Sequence, residues 1–353
     1  MDKIKIFIAE DTIESRTILV EQLKEYSEKN YNNPDFFEIK TADSYQKALN
    51  IVNNIERNSD YYDIFICDID FTEDNKGGRN DSGFELIEKM FDVCPITFIC
   101  TYSAQFRGRD LWPKYQELTN KGLIVHTMDK SHSEAGSNEW YIENFDKIVD
   151  FTLKNKFLKD IWKNHFLIKE SLINHSLDDD RFEDLIKKNT ILANLESILT
   201  LLRNLDKFNE LPIIYRLIIY LYHNSLEIFC RGRKTDNEII EGSNKNRKSV
   251  EGHLKKELMF DSKVSAIRTI VSYTPDMRSK FGFKLNDYRN KSIHNNQKFQ
   301  IEFENILFAN LTLALYVAEQ KSDISLNEIE KVNNSNSKGY EDLKSIISYI
   351  TKG

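Results

Sequence analysis

The chain has 353 residues, 40% of them hydrophobic and 30% charged, with a formal net charge of −7. That length suffices for two domains, each with its own core. No apolar run approaches the roughly eighteen residues a membrane span needs, and the charged start "MDKIK" is unlike a signal peptide, so a cytoplasmic protein without a membrane partner is expected.

The charge is unevenly shared. Residues 1–150 hold 17 Lys and Arg against 29 Asp and Glu, a net of −12; the remainder holds 32 against 27, a net of +5. Within residues 201–300 the excess is 19 basic against 11 acidic, so a polyanionic partner would have to meet the second half. Four cysteines (Cys67, Cys94, Cys100, Cys230) are scattered without metal-ligand spacing and are expected as reduced core residues, forming neither a disulfide nor a zinc site.

Over the first 130 residues strands and helices alternate. "KIKIFIAE" predicts a strand, "TIESRTILVEQLKEY" a helix, "FFEIKTA" a strand and "SYQKALNIVNNIER" a helix. "YDIFICDID" follows as a buried strand, "SGFELIEKM" as a helix, then "PITFICTYS" and "GLIVHTM" as strands. Strands apolar on both faces and separated by helices predict a doubly wound α/β domain, a parallel five-stranded sheet with helices on both sides, over residues 1–150.

In such a sheet, chemistry gathers at the carboxyl ends of the strands. The first strand ends in Glu10 and Asp11, the third in Asp68, the fourth in Thr101 and the last in Lys130. Three carboxylates brought together repel, and a hard divalent cation with oxygen ligands such as Mg²⁺ relieves that, leaving lysine and hydroxyl to bind an anion on the metal.

Over residues 3 to about 150 the chain resembles the receiver domain of two-component response regulators. The matches are "FIAED", "DIFICD" with Asp63 five before Asp68, "DSGFELI", "FICTYS" and "MDK". The resemblance implies a flavodoxin-like fold and a sensor histidine kinase or other phosphodonor that transfers a phosphoryl group to Asp68. Mg²⁺ would be held by Glu10, Asp11, Asp68 and the backbone carbonyl of Asp70, and Thr101 and Lys130 would bind the phosphoryl oxygens. Three positions depart from the family pattern. The Asp68–Gly83 loop carries the insertion "TEDNKGGRND", Ser131 stands where receivers have a proline, and Thr127 occupies the aromatic switch position, so the usual relay from threonine to aromatic cannot run in its standard form.

From about residue 140 strand signals disappear. "FLKDIWKNHFLIKESLINH", "RFEDLIKKNTILANLESILTLLRNL", "PIIYRLIIYLYHNSLEIFCR", "KVSAIRTIVSY" and "FENILFANLTLALYVAEQ" space apolar residues by three and four and predict an all-α bundle, with Pro212 suited to a helix start. Residues 234–250 and 331–342 are polar and predict loops, the second before a short final helix. The basic cluster "CRGRK", 230–234, suits a helix C-terminus or an RNA groove.

"LNDYRNKSIHN", 285–295, carries Arg289, Asn290 and His294 late in a helical segment. Five positions turn a regular helix by roughly 140°, so Arg289 and His294 share a cleft only where the helix ends between them. A competing pair, Arg247 and His253, lies in the polar loop. The back half resembles the HEPN superfamily of helical domains, whose mark is an arginine, a polar residue and a histidine a few positions on, before the last helix of a four-helix bundle. That resemblance spans about 206–322, with residues 151–205 as a helical linker or dimerisation segment and 323–353 as a tail with a short helix. It implies a metal-independent endoribonuclease, working as a homodimer, that cuts RNA to a 2′,3′-cyclic phosphate, with no cofactor for cleavage. His294 would move the proton of the ribose hydroxyl or leaving oxygen, Arg289 would stabilise charge on phosphorus and Asn290 would orient either. The whole then reads as a response regulator with an RNA-cleaving output, in a stress or phage-defence role by analogy. The alternatives are a helical binding or dimerisation module without catalysis, and a DNA-binding regulator, although no helix-turn-helix with a basic recognition helix is evident.

Overall fold

The fold is that of a computed structural model, which describes residues 3–55, 61–72, 78–104, 106–132, 134–178, 185–232, 239–241, 246–248, 278–293, 300–317 and 338–351. The chain forms two compact units, Met1–Lys156 and Phe157–Gly353.

The first unit is a five-stranded sheet of β1 (Ile4–Ala9), β2 (Phe37–Ala42), β3 (Ile64–Cys67), β4 (Phe98–Ser103) and β5 (His126–Asp129), in the order β2-β1-β3-β4-β5. Every neighbouring pair is parallel. The central strands β3 and β4 are buried at every position, because helices cover both faces, whereas the edge strand β2 alternates toward solvent. Among the described residues, α1 (Ile13–Tyr31), α2 (Tyr45–Asn53), α3 (Ser82–Val93) and α4 (Trp112–Asn120) connect the strands, and α5 (Asn138–Lys154) follows the last. On one face Ile6, Ile8, Ile64, Ile66 and Cys100 join Leu19 and Leu23 of α1 and Phe145, Ile148 and Val149 of α5 in a single core. Side chains of alternate residues point to the other face, where Phe7 stacks on Phe65 at 5.0 Å between ring centroids. Helix ends follow local chemistry: Asn32, at φ 50°, closes α1 by donating its N–H to the Glu28 carbonyl, and the Ser137 side chain accepts from Trp140 N–H to start α5.

Sequence periodicity does not reveal α4. Its segment "WPKYQELTN" buries only Leu118, so no apolar stripe marks it, and Pro113 sits in the first turn where its missing N–H costs nothing.

The second unit contains α6 (Leu158–Asp178), α7 (Leu185–Arg203), α8 (Leu211–Gly232), α9 (Arg278–Ile293), α10 (Phe303–Val317) and α11 (Lys338–Thr351). Helix α10 is buried along its whole length, touching α6, α8, α9 and α11, and so carries apolar residues on every face, with Asn310 and Thr312 buried among them. The segment 151–205, expected as a linker or dimerisation segment, supplies the end of α5 and then α6 and α7, which pack into this bundle. Asn164 of α6 donates to Asn310 of α10 at 2.7 Å, and Asn194 of α7 donates to Ser225 of α8 at 3.1 Å. Part of the predicted loop 234–250 is instead a small antiparallel sheet, β6 (Ile239–Glu241) with β7 (Asn246–Lys248). Strands of three residues are too short to show a period. The predicted helix "KVSAIRTIVSY" lies outside the described residues, as do His253 and His294. No described helix is long and apolar enough to cross a membrane.

Candidate functional site

Strand order in the first unit reverses at β1, which has β2 on one side and β3 on the other, so a crevice opens at the carboxyl ends of β1 and β3. Glu10 and Asp11 leave β1 into that crevice and Asp68 leaves β3. Their carboxylates are buried, and one oxygen from each lies within 4.8 Å of the others. Backbone bonds fix the strand ends: Asp68 N–H donates to the Ala9 carbonyl at 2.9 Å, and Arg16 of α1 reaches back to the carbonyls of Glu10 (2.5 Å) and Asp11 (3.2 Å).

Lys130, the first residue after β5, bridges the cluster. Its Nζ donates to Glu10 Oε2 at 2.7 Å and Asp68 Oδ2 at 2.9 Å and sits 4.1 Å from the centre of the Tyr102 ring. Asp68 Oδ1 accepts from Ile69 N–H at 2.6 Å. Three carboxylates against one ammonium leave an excess of negative charge out of water, and Glu10 registers it. Burial, reinforced by Asp68, pushes its carboxyl up to about 7, against the opposing pull of Lys130 and the Thr12 N–H. Burial also works against the Lys130 ammonium, but Asp68 and Glu10 outweigh it and raise its pKa. An all-oxygen, doubly acidic cluster of this kind fits a hard divalent cation, which would take the place of the missing positive charge.

Asp70 is not in the cluster; its Oδ1 accepts from Thr72 N–H at 2.9 Å. The insertion that follows is closed at its base by Phe71 N–H donating to the Arg79 carbonyl at 3.1 Å, with the Phe71 side chain fully buried. Gly83, near the start of α3, lies against the Asp68 backbone: a Cβ there would sit 2.0 Å from the Asp68 carbonyl oxygen. Asp63 stands at the far end of β3, where its carboxylate accepts from Lys5 N–H at 2.8 Å and braces the sheet. Ser131, in the proline position, closes a turn on Asp129 Oδ1 through its N–H (2.9 Å) and hydroxyl (2.5 Å).

Thr101 is fully buried in β4. Its hydroxyl donates to Thr127 Oγ1 at 3.1 Å, and that oxygen lies 2.5 Å from the hydroxyl of Tyr115 on α4. Tyr115 carries no signal in the sequence: it is twelve residues from Thr127, on a helix that periodicity does not reveal.

In the second unit Arg289 and Asn290 lie on α9, described over Arg278–Ile293, while His294 lies outside the described residues. Arg289 Nη1 donates to Asn290 Oδ1 at 2.9 Å. The guanidinium is half-buried, and burial holds its pKa below the ordinary arginine value despite the neighbouring Glu227 and Tyr220 of α8. Elsewhere in the bundle His165 is fully buried, its Nε2 bonded to the Tyr222 hydroxyl at 2.9 Å, and burial pushes its pKa down to about 3. Of the four cysteines, Cys67, Cys94 and Cys100 are buried free thiols; the Cys230 side chain is outside the described set.

No family model matches the sequence, and no curated protein does. Among solved structures, the chain is similar to the BeF3-activated receiver domain of DrrB, at 11% identity and a TM-score of 0.30, covering 42% of this chain and 99% of that one. It is also similar to NtrX from Brucella abortus in complex with ADP, at 8% identity and a TM-score of 0.34, covering 99% of this chain and 92% of that one. The receiver-like character of the first unit rests on its own strand order and acidic pocket.

Proposed function

We propose that the first unit is the phosphoacceptor domain of a response regulator and that Asp68 is the acceptor. The observation that carries this reading is the buried Glu10–Asp11–Asp68 cluster bridged by Lys130 at the switch point of a 2-1-3-4-5 sheet. A carboxylate oxygen of Asp68 attacks phosphorus as the bond to the donor's leaving group breaks, a phosphohistidine nitrogen for a sensor kinase or an acetate oxygen for acetyl phosphate. Glu10, Asp11, Asp68 and the Asp70 carbonyl are the residues that would hold Mg²⁺, which neutralises charge between the acceptor and the incoming phosphate. Lys130 exchanges its contact with the Asp68 carboxylate for a phosphoryl oxygen, and Thr101 donates its hydroxyl hydrogen to another. Asp68→Asn should abolish labelling by acetyl phosphate with Mg²⁺; labelling at the wild-type level in that variant refutes the assignment.

The output we infer is cleavage of RNA by Arg289, Asn290 and His294 in a homodimer. One observation favours it: Arg289 is held half-buried, with Glu227 of α8 as a neighbouring charge, rather than extended into water. Purified protein in EDTA should degrade total RNA, leaving 2′,3′-cyclic phosphate ends, and His294→Ala should not. Equal degradation by the variant removes the nuclease reading. Intact RNA with a phosphorylation-dependent change in oligomeric state favours a binding module, and a shifted promoter fragment favours DNA binding.

A further inference from the structure

The hydroxyl of Thr101 is the first of three in a row. Thr101 and Thr127 are register partners on the adjacent strands β4 and β5, and their hydroxyl oxygens are 3.1 Å apart with Thr101 as donor. Thr127 Oγ1 is 2.5 Å from the Tyr115 hydroxyl, so the chain of oxygens runs from β4 across β5 to α4. Beyond it the Tyr115 ring stacks on Trp112 (5.4 Å between centroids, 16° between planes) and packs on Phe106 (4.6 Å). Trp112 is exposed and Phe106 buried.

Each hydroxyl has one hydrogen to give and lone pairs to receive. With Asp68 unmodified, Thr101 gives its hydrogen to Thr127, which leaves Thr127 able to give its own to Tyr115 in a contact that either hydroxyl can donate. A phosphoryl group has only acceptor oxygens. Thr101 can bind one only by withdrawing its hydrogen from Thr127, which leaves two oxygens 3.1 Å apart with no hydrogen between them unless Thr127 turns its own inward. Thr127 then has none for Tyr115, and the close contact of those two oxygens survives only if Tyr115 becomes the donor. Hydrogen bonds in series polarise one another, so the chain favours reversing as a whole. No covalent bond is made or broken; three O–H bonds rotate.

We propose that Thr101, Thr127 and Tyr115 form a hydroxyl relay whose direction reverses on phosphorylation of Asp68, with the aromatic stack of Phe106 on Trp112 and Tyr115 of α4 as its outlet. The inference rests on the phosphoacceptor reading above. It assigns Thr127 and Tyr115 as positioning residues, acting on phosphate through Thr101, and it supplies the route that a threonine in the aromatic switch position would otherwise interrupt.

The test uses full-length protein carrying fluorinated tryptophan, with the Trp112 resonance identified by its loss in Trp112→Phe. Acetyl phosphate with Mg²⁺ is added, and incorporated phosphate is read by intact mass on the same sample. Wild type should show the Trp112 resonance shifting in step with phosphate. Thr127→Val, which deletes the central oxygen at nearly constant volume, and Tyr115→Phe, which deletes the last one and keeps the ring, should take up phosphate and lose most of the shift. Either variant phosphorylated with its full shift intact overturns the relay, as does phosphorylated wild type with an unmoved Trp112. Wild type that takes up no phosphate instead overturns the phosphoacceptor reading, and the relay with it. Should Thr127→Val fail to fold, Tyr115→Phe decides alone.

Discussion

Replacing Gly83 by alanine tests how closely the backbone of Asp68, the proposed phosphoacceptor, is gripped. The new Cβ would lie 2.0 Å from the Asp68 carbonyl oxygen, 2.8 Å from its carbonyl carbon and 2.5 Å from Ile69 Cα, where ordinary contact begins near 3.4 Å. The overlap of about 1.4 Å falls entirely on backbone, so no rotamer change relieves it. Gly83 is not among the residues with positive φ, so the penalty comes from close approach and not from backbone conformation. The N–H of Gly83 also donates to the Ile69 carbonyl at 2.9 Å, which ties the start of α3 to the same peptide that must yield. Overpacking of this kind costs about 1–3 kcal/mol, or roughly 2–4 °C in Tm per kcal/mol for a domain of this size. The chemical effect should be larger than the thermal one. A displacement near 1 Å moves Asp68 relative to Glu10, Asp11 and Lys130, and misplacement on that scale costs up to about 10²-fold in rate. Labelling by acetyl phosphate and thermal unfolding of the same preparation measure the two. Wild-type labelling and wild-type Tm in Gly83→Ala would show that the loop between β3 and α3 yields freely, and the account of a rigidly held acceptor would be wrong.

Two further outcomes follow from the buried charges. Mg²⁺ should raise the Tm of the first unit, by the equivalent of about 2.7 kcal/mol at a hundredfold excess over Kd, and EDTA should reverse it; Asp11→Asn should lose the effect. In metal-free protein Asp68→Asn should bring the Glu10 carboxyl down from about 7, since burial remains but the neighbouring charge is gone; an unchanged Glu10 titration by carboxyl carbon NMR counts against the coupling. His165 predicts a pH dependence in the second unit. Its folded pKa is depressed to about 3 from an ordinary 6.5, so its contribution is complete above pH 6.5 and falls below it, as the unfolded chain takes up a proton that the folded one refuses. The slope is about 1.4 kcal/mol per pH unit between 6.5 and 3. Urea titrations followed by tryptophan fluorescence should show this slope in wild type and not in His165→Gln; equal slopes in the two would refute it.

The sheet and its pocket are legible in the sequence for one reason: strands buried on both faces leave unbroken apolar runs, and the chemical residues stand immediately beyond them. Glu10 follows Ala9, Asp68 follows Cys67, Lys130 follows Asp129, and Thr101 lies within β4. Tyr115 is not legible, because its role depends on where a helix with one buried apolar residue lands. The polar interior of the bundle is hidden for a related reason. Asn164 and His165 look like a solvated face by periodicity, and only the packing of α6 against α8 and α10 turns them inward to Tyr222 and Asn310. The same packing gives α6 and α7 to the bundle, though their sequences carry nothing to separate a linker helix from a core one. At Arg289 the sequence indicates a helix, and α9 carries it; the neighbouring charge of Glu227, from α8, is visible only in three dimensions.

The rungs Asn164–Asn310, Asn310–Tyr222 and Tyr222–His165 join α6, α10 and α8 through oriented donors and acceptors in a dry interior. A greasy seam lets one helix slide along another and re-seat a turn away, but matched amides and a phenol offer a single seating, and slippage by even one residue would strand several polar atoms at once. Helices α6, α8 and α10 therefore behave as a keyed block. Whatever stimulus reaches this unit must either carry the block bodily or act at its margin, and Arg289, four residues before the last described residue of α9, stands on that margin.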